Sequence, residues 1–275
     1  METKTRGTNA ITLDLWETLL FEKDGDNERR TLARCQDLRR ALDRLGVKFS
    51  LEQVQSALEE TTFSLLNIWK TNRDITHLDQ IRLILKFASK GSITMKEQWV
   101  DELASAYIAP IFEVPPYLNP EARSVLRWLK GHGRSVGLIC NTGFTPGVAL
   151  RKFLVREGVA EFFDVMLFSD EVGIRKPDAR IFQLAAQQLG SDPSEIVHVG
   201  DNLRLDVWGA KNAGFIAIYL LSEEGRDKIA ESNPSSLASL SRDLGNLTRD
   251  HIIPDKTVNS LGMIIGVIQG LEAQR

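Results

Sequence analysis

Four polar clusters, each at the end of an apolar run, carry the chemistry this chain can do. Ala10-Ile11-Thr12-Leu13 ends in Asp14, and a carboxylate at the end of a buried strand stands where an open α/β sheet keeps its reactive groups. The run 136–140 leads into Asn141-Thr142-Gly143, the run 165–168 into a polar stretch that contains Lys176-Pro177, and the run 196–199 into Gly200-Asp201-Asn202, with Asp206 five residues after Asp201. Such a set suits a phosphate ester. Asp14 as nucleophile would split one difficult displacement at phosphorus into two easier ones. Asp14 and Asp201 repel each other unless a cation lies between them. Mg²⁺ with oxygen ligands is the natural choice and would also offset the charge of the phosphate. Lys176 adds a point charge against the transferring oxygens, and the Asn141 and Thr142 region adds donors from side chain or backbone.

These residues converge only if the intervening elements bring the strand ends to one edge. Residues 9–20 read as one buried strand and its loop. From about 24 to 114 the pattern is almost pure helix: Leu32, Leu38, Ala41, Leu42 and Leu45 mark the first, Ser50 with Gln53 at capping-box spacing opens the second, Ile81 to Ala88 mark a third, and Trp99 to Ile108 a fourth. Pro115-Pro116 closes the block as a stiff hinge. From about 117 strands and helices alternate, with continuous apolar strands, which predicts a parallel sheet covered on both faces. The fold expected is α/β, a doubly wound parallel sheet built from 1–22 and 115–275, with the helical block 23–114 inserted after the first strand.

Composition narrows the function class. The formal net charge is −3, with 43% hydrophobic and 26% charged residues. That balance gives no reason to expect a general nucleic-acid binder or a membrane-surface protein, and an anionic small-molecule substrate would need a local positive site. Two cysteines, Cys35 and Cys140, make no disulfide framework and fit a reducing compartment. Met1 to Gly7 is polar, so a cytoplasmic location is expected. The apolar run 261–268 is too short to span a bilayer and reads as a core-facing helix end. Oligomeric state leaves no mark in the sequence.

Taken in order, Asp14-x-x-x-Thr18, strand-Asn141-Thr142-Gly143, Lys176-Pro177 and Gly200-Asp201-x-x-x-x-Asp206-x-x-Gly209-Ala210-x-x-Ala213-Gly214 resemble the haloacid dehalogenase superfamily of hydrolases over nearly the whole chain. The resemblance implies a Rossmann-like core with a helical cap that closes over the site and selects substrate. It implies Asp14 as nucleophile and Mg²⁺ ligand, with the Trp16 backbone carbonyl, Asp201 and Asp206 as further ligands or their support. Lys176 would hold nucleophile and phosphate. Two positions depart from the pattern. Phosphatases of the superfamily carry Asp two residues after the nucleophile, as general acid and base; here that residue is Trp16. Its dehalogenases carry Tyr there but lack the metal-binding acid that this chain keeps as Asp201. The Ser/Thr of the second motif falls on Cys140, or on Thr142 if the loop shifts. The leading expectation is a Mg²⁺-dependent phosphatase working through an aspartyl-phosphate. The alternatives are a metal-independent 2-haloacid dehalogenase, whose substrate would be halogenated, and a catalytically weak binding or regulatory protein.

Other residues have plainer roles. Trp16 packs and excludes water. Glu17 is the one acid beside the gap that Trp16 leaves, although neighbouring residues are expected to diverge after a strand. Cys140 is a buried strand-end residue, and His198, inside an apolar strand, is a satisfied core group. His77, His132 and His251 lack metal-ligand spacing. Arg29, Arg30, Arg34, Arg39, Arg40 and Arg44, interspersed with Glu28, Asp37 and Asp43, form a solvated helix face from which one arginine could reach an anionic substrate.

Overall fold

A computed structural model describes residues 9–221 and 252–273. Met1 to Gly7 and His251 lie outside the described residues. Six strands make one parallel sheet: β1 (Ala10–Leu13), β4 (Ser135–Cys140), β5 (Val165–Phe168), β6 (Ile196–Gly200), β7 (Ile216–Leu220) and β8 (Lys256–Val258), in the spatial order β5-β4-β1-β6-β7-β8. Period-2 alternation sends Ile11 and Leu13 to one face and Ala10 and Thr12 to the other. The first face is covered by α6 (Ala122–Gly131), α7 (Gly147–Arg156) and the final helix Ile264–Ala273, through Leu126, Phe153, Ile264 and Ile268. The second is covered by α9 (Ala179–Leu189) and α10 (Gly209–Asn212), through Ile181, Phe182 and Ala210. Burial on both faces explains why the strands read as continuous apolar runs. The apolar run at 261–268 does face the core, as its spacing predicts.

β1 lies in the middle of the sheet, with Leu13 opposite Leu138 on one side and Val199 on the other. From β1 the chain builds outward through β4 and β5, then crosses back to β6 and builds the other way. The crevice at such a switch point lies beyond the ends of β1, β4 and β6, and Asp14, Asn141 and Asp201 follow those strands directly.

Between β2 (Leu20–Phe21) and β3 (Tyr117–Leu118) the chain makes α1 (Asp26–Arg44), α2 (Leu51–Trp69), α3 (His77–Ala88), α4 (Val100–Ile108) and α5 (Pro110–Glu113). The Ser50 and Gln53 capping box is formed. β2 and β3 pair antiparallel, so the strands that lead into and out of the helices are stitched together at their base. Both are two residues long, too short for a sequence pattern to reveal. The helices share a core of their own that includes Leu38, Leu42, Leu58, Ile84, Leu85 and Leu103. Leu32 does not join it: it is exposed, because the buried side of α1 turns through Arg30, Arg34, Cys35 and Leu38. Both cysteines are buried and unpaired. Among the described residues no helix is long and apolar enough to cross a membrane.

Candidate active site

The cavity at the sheet edge, about 180 Å³, is floored by Asp14, Lys176, Asp201 and Asp206 and roofed by side chains of α1 and α2, among them Arg30, Arg34 and Trp69. Asp14 is fixed by its backbone, since its N–H donates to the Val199 carbonyl at 2.9 Å and so extends the β1–β6 ladder by one residue. Lys176 follows the β5 strand and its loop, and its buried Nζ donates to Asp14 Oδ1 at 2.5 Å and to Asp206 Oδ1 at 2.6 Å. One ammonium therefore holds two carboxylates that arrive from different strand ends.

Asp206 lies in a turn of π-helix, Leu203–Trp208, that Asn202 opens by accepting the N–H groups of Arg204 and Leu205 on its side chain. A wide turn of this kind is common at functional sites. Asp206 Oδ2 accepts the Asn202 N–H at 3.0 Å, while Oδ1 also accepts from His198 Nε2 at 3.1 Å. A carboxylate can only accept from that nitrogen, so His198 carries its proton on Nε2, and Nδ1 accepts from the Thr12 hydroxyl at 2.9 Å. His198 is thus the satisfied core group its strand setting predicts, and it also buttresses Asp206. Gly200 leaves room for this arrangement, because any Cβ there would overlap the Asp206 carboxyl.

The electrostatics follow from burial. Desolvation outweighs Lys176 and pushes Asp14 up to about 6, with Asp206 adding to the rise. Burial works against the charge on Lys176 too, but Asp14 and Asp206 outweigh it and keep the ammonium protonated, well above the ordinary lysine range. Asp206 is desolvated as well, yet Lys176 and His198 hold it down to about 2. Burial also holds His198 below the usual imidazole range, so it is neutral at pH 7. One oxygen from each of Asp14, Asp201 and Asp206 falls within 4.8 Å of the others, and three hard oxygens from carboxylates fit a Mg²⁺-type cation. Asp206 already accepts three hydrogen bonds, so most of its capacity goes to supporting the site.

The expected phosphate donors of the second motif are placed differently from a simple reading. Cys140 is fully buried, with its thiol 3.5 Å from the Asn141 carbonyl, and desolvation raises it well above the usual thiol range, with Asp14 adding to the rise. Asn141 borders the cavity but its amide clamps the backbone of Lys176, donating Nδ2–H to the carbonyl at 2.9 Å and accepting the N–H at 2.8 Å. Asn141 thereby positions Lys176. The Thr142 hydroxyl is engaged with Ser169 at 3.1 Å and Asp74 at 3.3 Å, and its N–H donates to Ser169 Oγ.

Trp16 is half-buried, packs against the core and lines the cavity. Glu17 does not diverge from it. Glu17 adopts φ 58° and donates its N–H to the Leu20 carbonyl, so the chain turns back on itself and both residues border the cavity. A left-handed residue other than glycine is uncommon and no period of the sequence announces it.

Three features escaped sequence reasoning. First, Asp74, in the loop between α2 and α3, accepts from Arg175 Nη1 and Ser169 Oγ, each at 2.5 Å, and its other oxygen accepts from Trp69 Nε1 at 2.9 Å. Second, the same loop pairs by backbone with the loop before Lys176: Asp74 N–H to Gly173 O and Arg175 N–H to Asn72 O, around an antiparallel bridge of Arg73 with Ile174. Third, the arginine face of α1 is split. Arg29, Arg40 and Arg44 are solvated as expected, but Arg30 and Arg34 are each only 2% exposed and border the cavity. In the sequence Arg175 is only the residue before Lys176, and nothing there pairs it with Asp74.

A model of the haloacid dehalogenase-like hydrolase family matches residues 8–214. A glyceraldehyde 3-phosphate phosphatase of Methanothermobacter thermautotrophicus is 37% identical over 41% of this chain and 50% of its own length. A phosphoserine phosphatase of Thermus thermophilus is 39% identical over 43% of this chain and 46% of its own. The chain thus spans about half the length of the curated relatives it matches. A solved 2-haloacid dehalogenase from Pseudomonas syringae pv. tomato superposes with a TM-score of 0.62 over 95% of this chain and 98% of its own at 19% identity, which is a likeness of fold.

Proposed function

The chain belongs to the haloacid dehalogenase-like hydrolases, and on that premise we propose that it is a phosphatase of small phosphate esters, with Asp14 as nucleophile. The observation that carries this reading is the buried Lys176 ammonium held between Asp14 and Asp206, with Asp201 close enough to share a cation. The two named phosphatase relatives favour phosphorus over carbon as the point of attack. The helices 23–114 act as the cap and the rest of the chain as the catalytic core.

In the reaction, Asp14 attacks phosphorus with one carboxylate oxygen while Lys176 holds the carboxylate in line. The P–O bond to the leaving group breaks and an aspartyl-phosphate remains. Water then attacks phosphorus, the acyl phosphate P–O bond breaks, and free Asp14 and inorganic phosphate result. Asp14, Asp201 and Asp206, with the Trp16 carbonyl, would hold Mg²⁺, which would neutralise charge on the transferring phosphoryl group. Lys176 adds a fixed positive charge at the same place. Asn141 keeps Lys176 in register through both its backbone groups. Trp16 excludes water and leaves the departing oxygen without the usual acid, so substrates with good leaving groups are favoured.

Acetyl phosphate and an alkyl phosphate, each assayed with Mg²⁺ and with EDTA on wild type and Asp14→Asn, test the proposal. Hydrolysis that needs Mg²⁺, favours acetyl phosphate and disappears in the variant supports it. Chloride release from 2-chloropropionate in EDTA would instead establish the dehalogenase reading, which Trp16 favours and the retained carboxylate set opposes. Ligand binding without turnover of any compound would establish a binding protein.

A further inference from the structure

The roof of the cavity holds two guanidinium groups that the reaction above does not use. Arg30 pairs through Nη2 with Glu22, but its Nη1 is buried without a hydrogen-bond partner. Arg34 has no ion-pair partner among the described residues. Its Nε donates to the Tyr107 carbonyl at 3.2 Å, its Nη2 makes a long 3.4 Å contact with Thr145 Oγ1, and its guanidinium stacks over Tyr107 and Phe144 with centroid distances of 5.0 and 5.8 Å. A buried cation with no counter-charge is costly, because the attraction that normally offsets desolvation is missing. Lys176 and Arg175, also buried in this cavity, both have carboxylates at 2.5 Å, and Arg30 has Glu22. Arg34 therefore stands out, among the described residues, as a buried cation with no carboxylate in ion-pair contact, Asp37 acting on it only from a distance. Arg30 lines the same cavity.

We propose that Arg34, assisted by Arg30, reads a carboxylate on the substrate, so that the substrate class is short phosphorylated carboxylic acids. The inference rests on the phosphatase reading, since it places the phosphate on the floor at Asp14 and Lys176 and the second anion at the roof. A planar guanidinium fork matches a carboxylate with two parallel hydrogen bonds. The space at the floor and roof is modest: a cavity of roughly 150 Å³ takes a six-carbon ring, so about 180 Å³ accommodates a phosphoester of a few carbons. Arg34 and Arg30 come from α1, so the selecting groups belong to the helical block and the reacting groups to the sheet edge.

A matched pair of substrates tests this. 3-Phosphoglycerate and glycerol 3-phosphate have the same carbon skeleton and differ by a carboxylate against a hydroxymethyl group. Wild type should prefer 3-phosphoglycerate in kcat/KM by roughly 10–100-fold, the value of charge-assisted hydrogen bonds to a desolvated group. Arg34→Met should erase most of that preference, mainly through KM, and Arg34→Lys should restore part of it. The wild-type ratio alone decides the matter if the variants fail to fold. A ratio near one in wild type, or a ratio that Arg34→Met leaves unchanged, overturns the proposal and makes Arg34 a packing residue. Preference for propane-1,3-diol bisphosphate over 3-phosphoglycerate also overturns it, by making the second anion a phosphate. If neither these esters nor acetyl phosphate is hydrolysed, the phosphatase reading has failed. Calorimetric titration of the two esters into the protein then still reads the arginine, with tighter binding of 3-phosphoglycerate that Arg34→Met removes.

Discussion

Asp74 to Ala is the perturbation that best separates this tertiary structure from a looser one with the same elements. Asp74 Oδ1 accepts the Trp69 indole N–H and the Ile75 N–H, each at 2.9 Å, while Oδ2 accepts from Arg175, Ser169 and Thr142. The ion pair is dry, with side-chain exposures of 6% for Arg175 and 0% for Asp74. Burial already pulls Arg175 below the ordinary guanidinium range, and Asp74 is what opposes that pull. Alanine leaves Arg175 with the Thr142 carbonyl, a long 3.3 Å contact to Ser169 Oγ and the Trp69 ring face, 4.2 Å from its guanidinium carbon, and no carboxylate in contact. Removing one partner of a buried pair costs about 3–5 kcal/mol, a large part of a total stability of about 5–15 kcal/mol. With a urea m-value near 3 kcal/mol/M, the midpoint should fall by about 1–2 M. Unfolding followed by tryptophan fluorescence and by far-ultraviolet circular dichroism measures it. Asp74→Leu with Arg175→Met should recover the part of the loss that comes from the stranded Arg175 charge, but not the part from the Trp69 and Ile75 N–H groups, which still lack their acceptor. A midpoint shift below about 0.3 M for Asp74→Ala with an unchanged m-value, or no coupling in the double-mutant cycle, refutes the reasoning. The network would then not be what ties the α2–α3 loop to the segment carrying Lys176.

Three further outcomes follow from the site. Trp16→Asp supplies an acid where the departing oxygen lacks one, so alkyl phosphate hydrolysis should rise by roughly 10²-fold or more relative to acetyl phosphate; an unchanged ratio of the two rates would show that Trp16 is not what limits leaving-group protonation. Lys176→Met leaves Asp14 and Asp206 facing each other without their shared cation, so its melting temperature should fall and Mg²⁺ should raise it by several degrees more than in wild type; equal Mg²⁺ shifts in calorimetry would refute the shared-charge account. Burial pushes Asp170 up to about 6 despite its bond from the Gly147 N–H. The folded state therefore binds this proton more tightly than the unfolded chain, and the stability it contributes is full below pH 3.8 and lost as pH rises through about 6. Asp170→Asn should accordingly stabilise the protein at pH 7.5 by about 1–3 kcal/mol and change little at pH 4; equal shifts in melting temperature at the two pH values would contradict the assignment.

The doubly wound sheet and the polar residues that gather at its edge were legible in the sequence because both rest on local signals. A parallel strand buried on both faces must be apolar along its whole length, so β1, β4, β5, β6 and β7 announce themselves, and each polar cluster is read as the residue where the strand meets the crevice. β2, β3 and β8 were not legible, because two or three residues carry no period. The types at Asp14, Lys176, Asp201 and Asp206 already pointed to the chemistry proposed above. Tertiary structure decided what those types do to each other. Lys176 bridges Asp14 and Asp206 only because β1 and β6 are neighbours and Asn141 holds the Lys176 backbone from the far side. The division of the α1 arginines was equally invisible: a run of alternating charge reads as a solvated face, and only the fold shows Arg34 buried against Tyr107 and Phe144. Sequence fixes which groups a strand end offers, because that depends on neighbours along the chain. Which charges share a dry cavity depends on elements a hundred or more residues apart, as Asp74 and Arg175 are, and that is settled only by the fold.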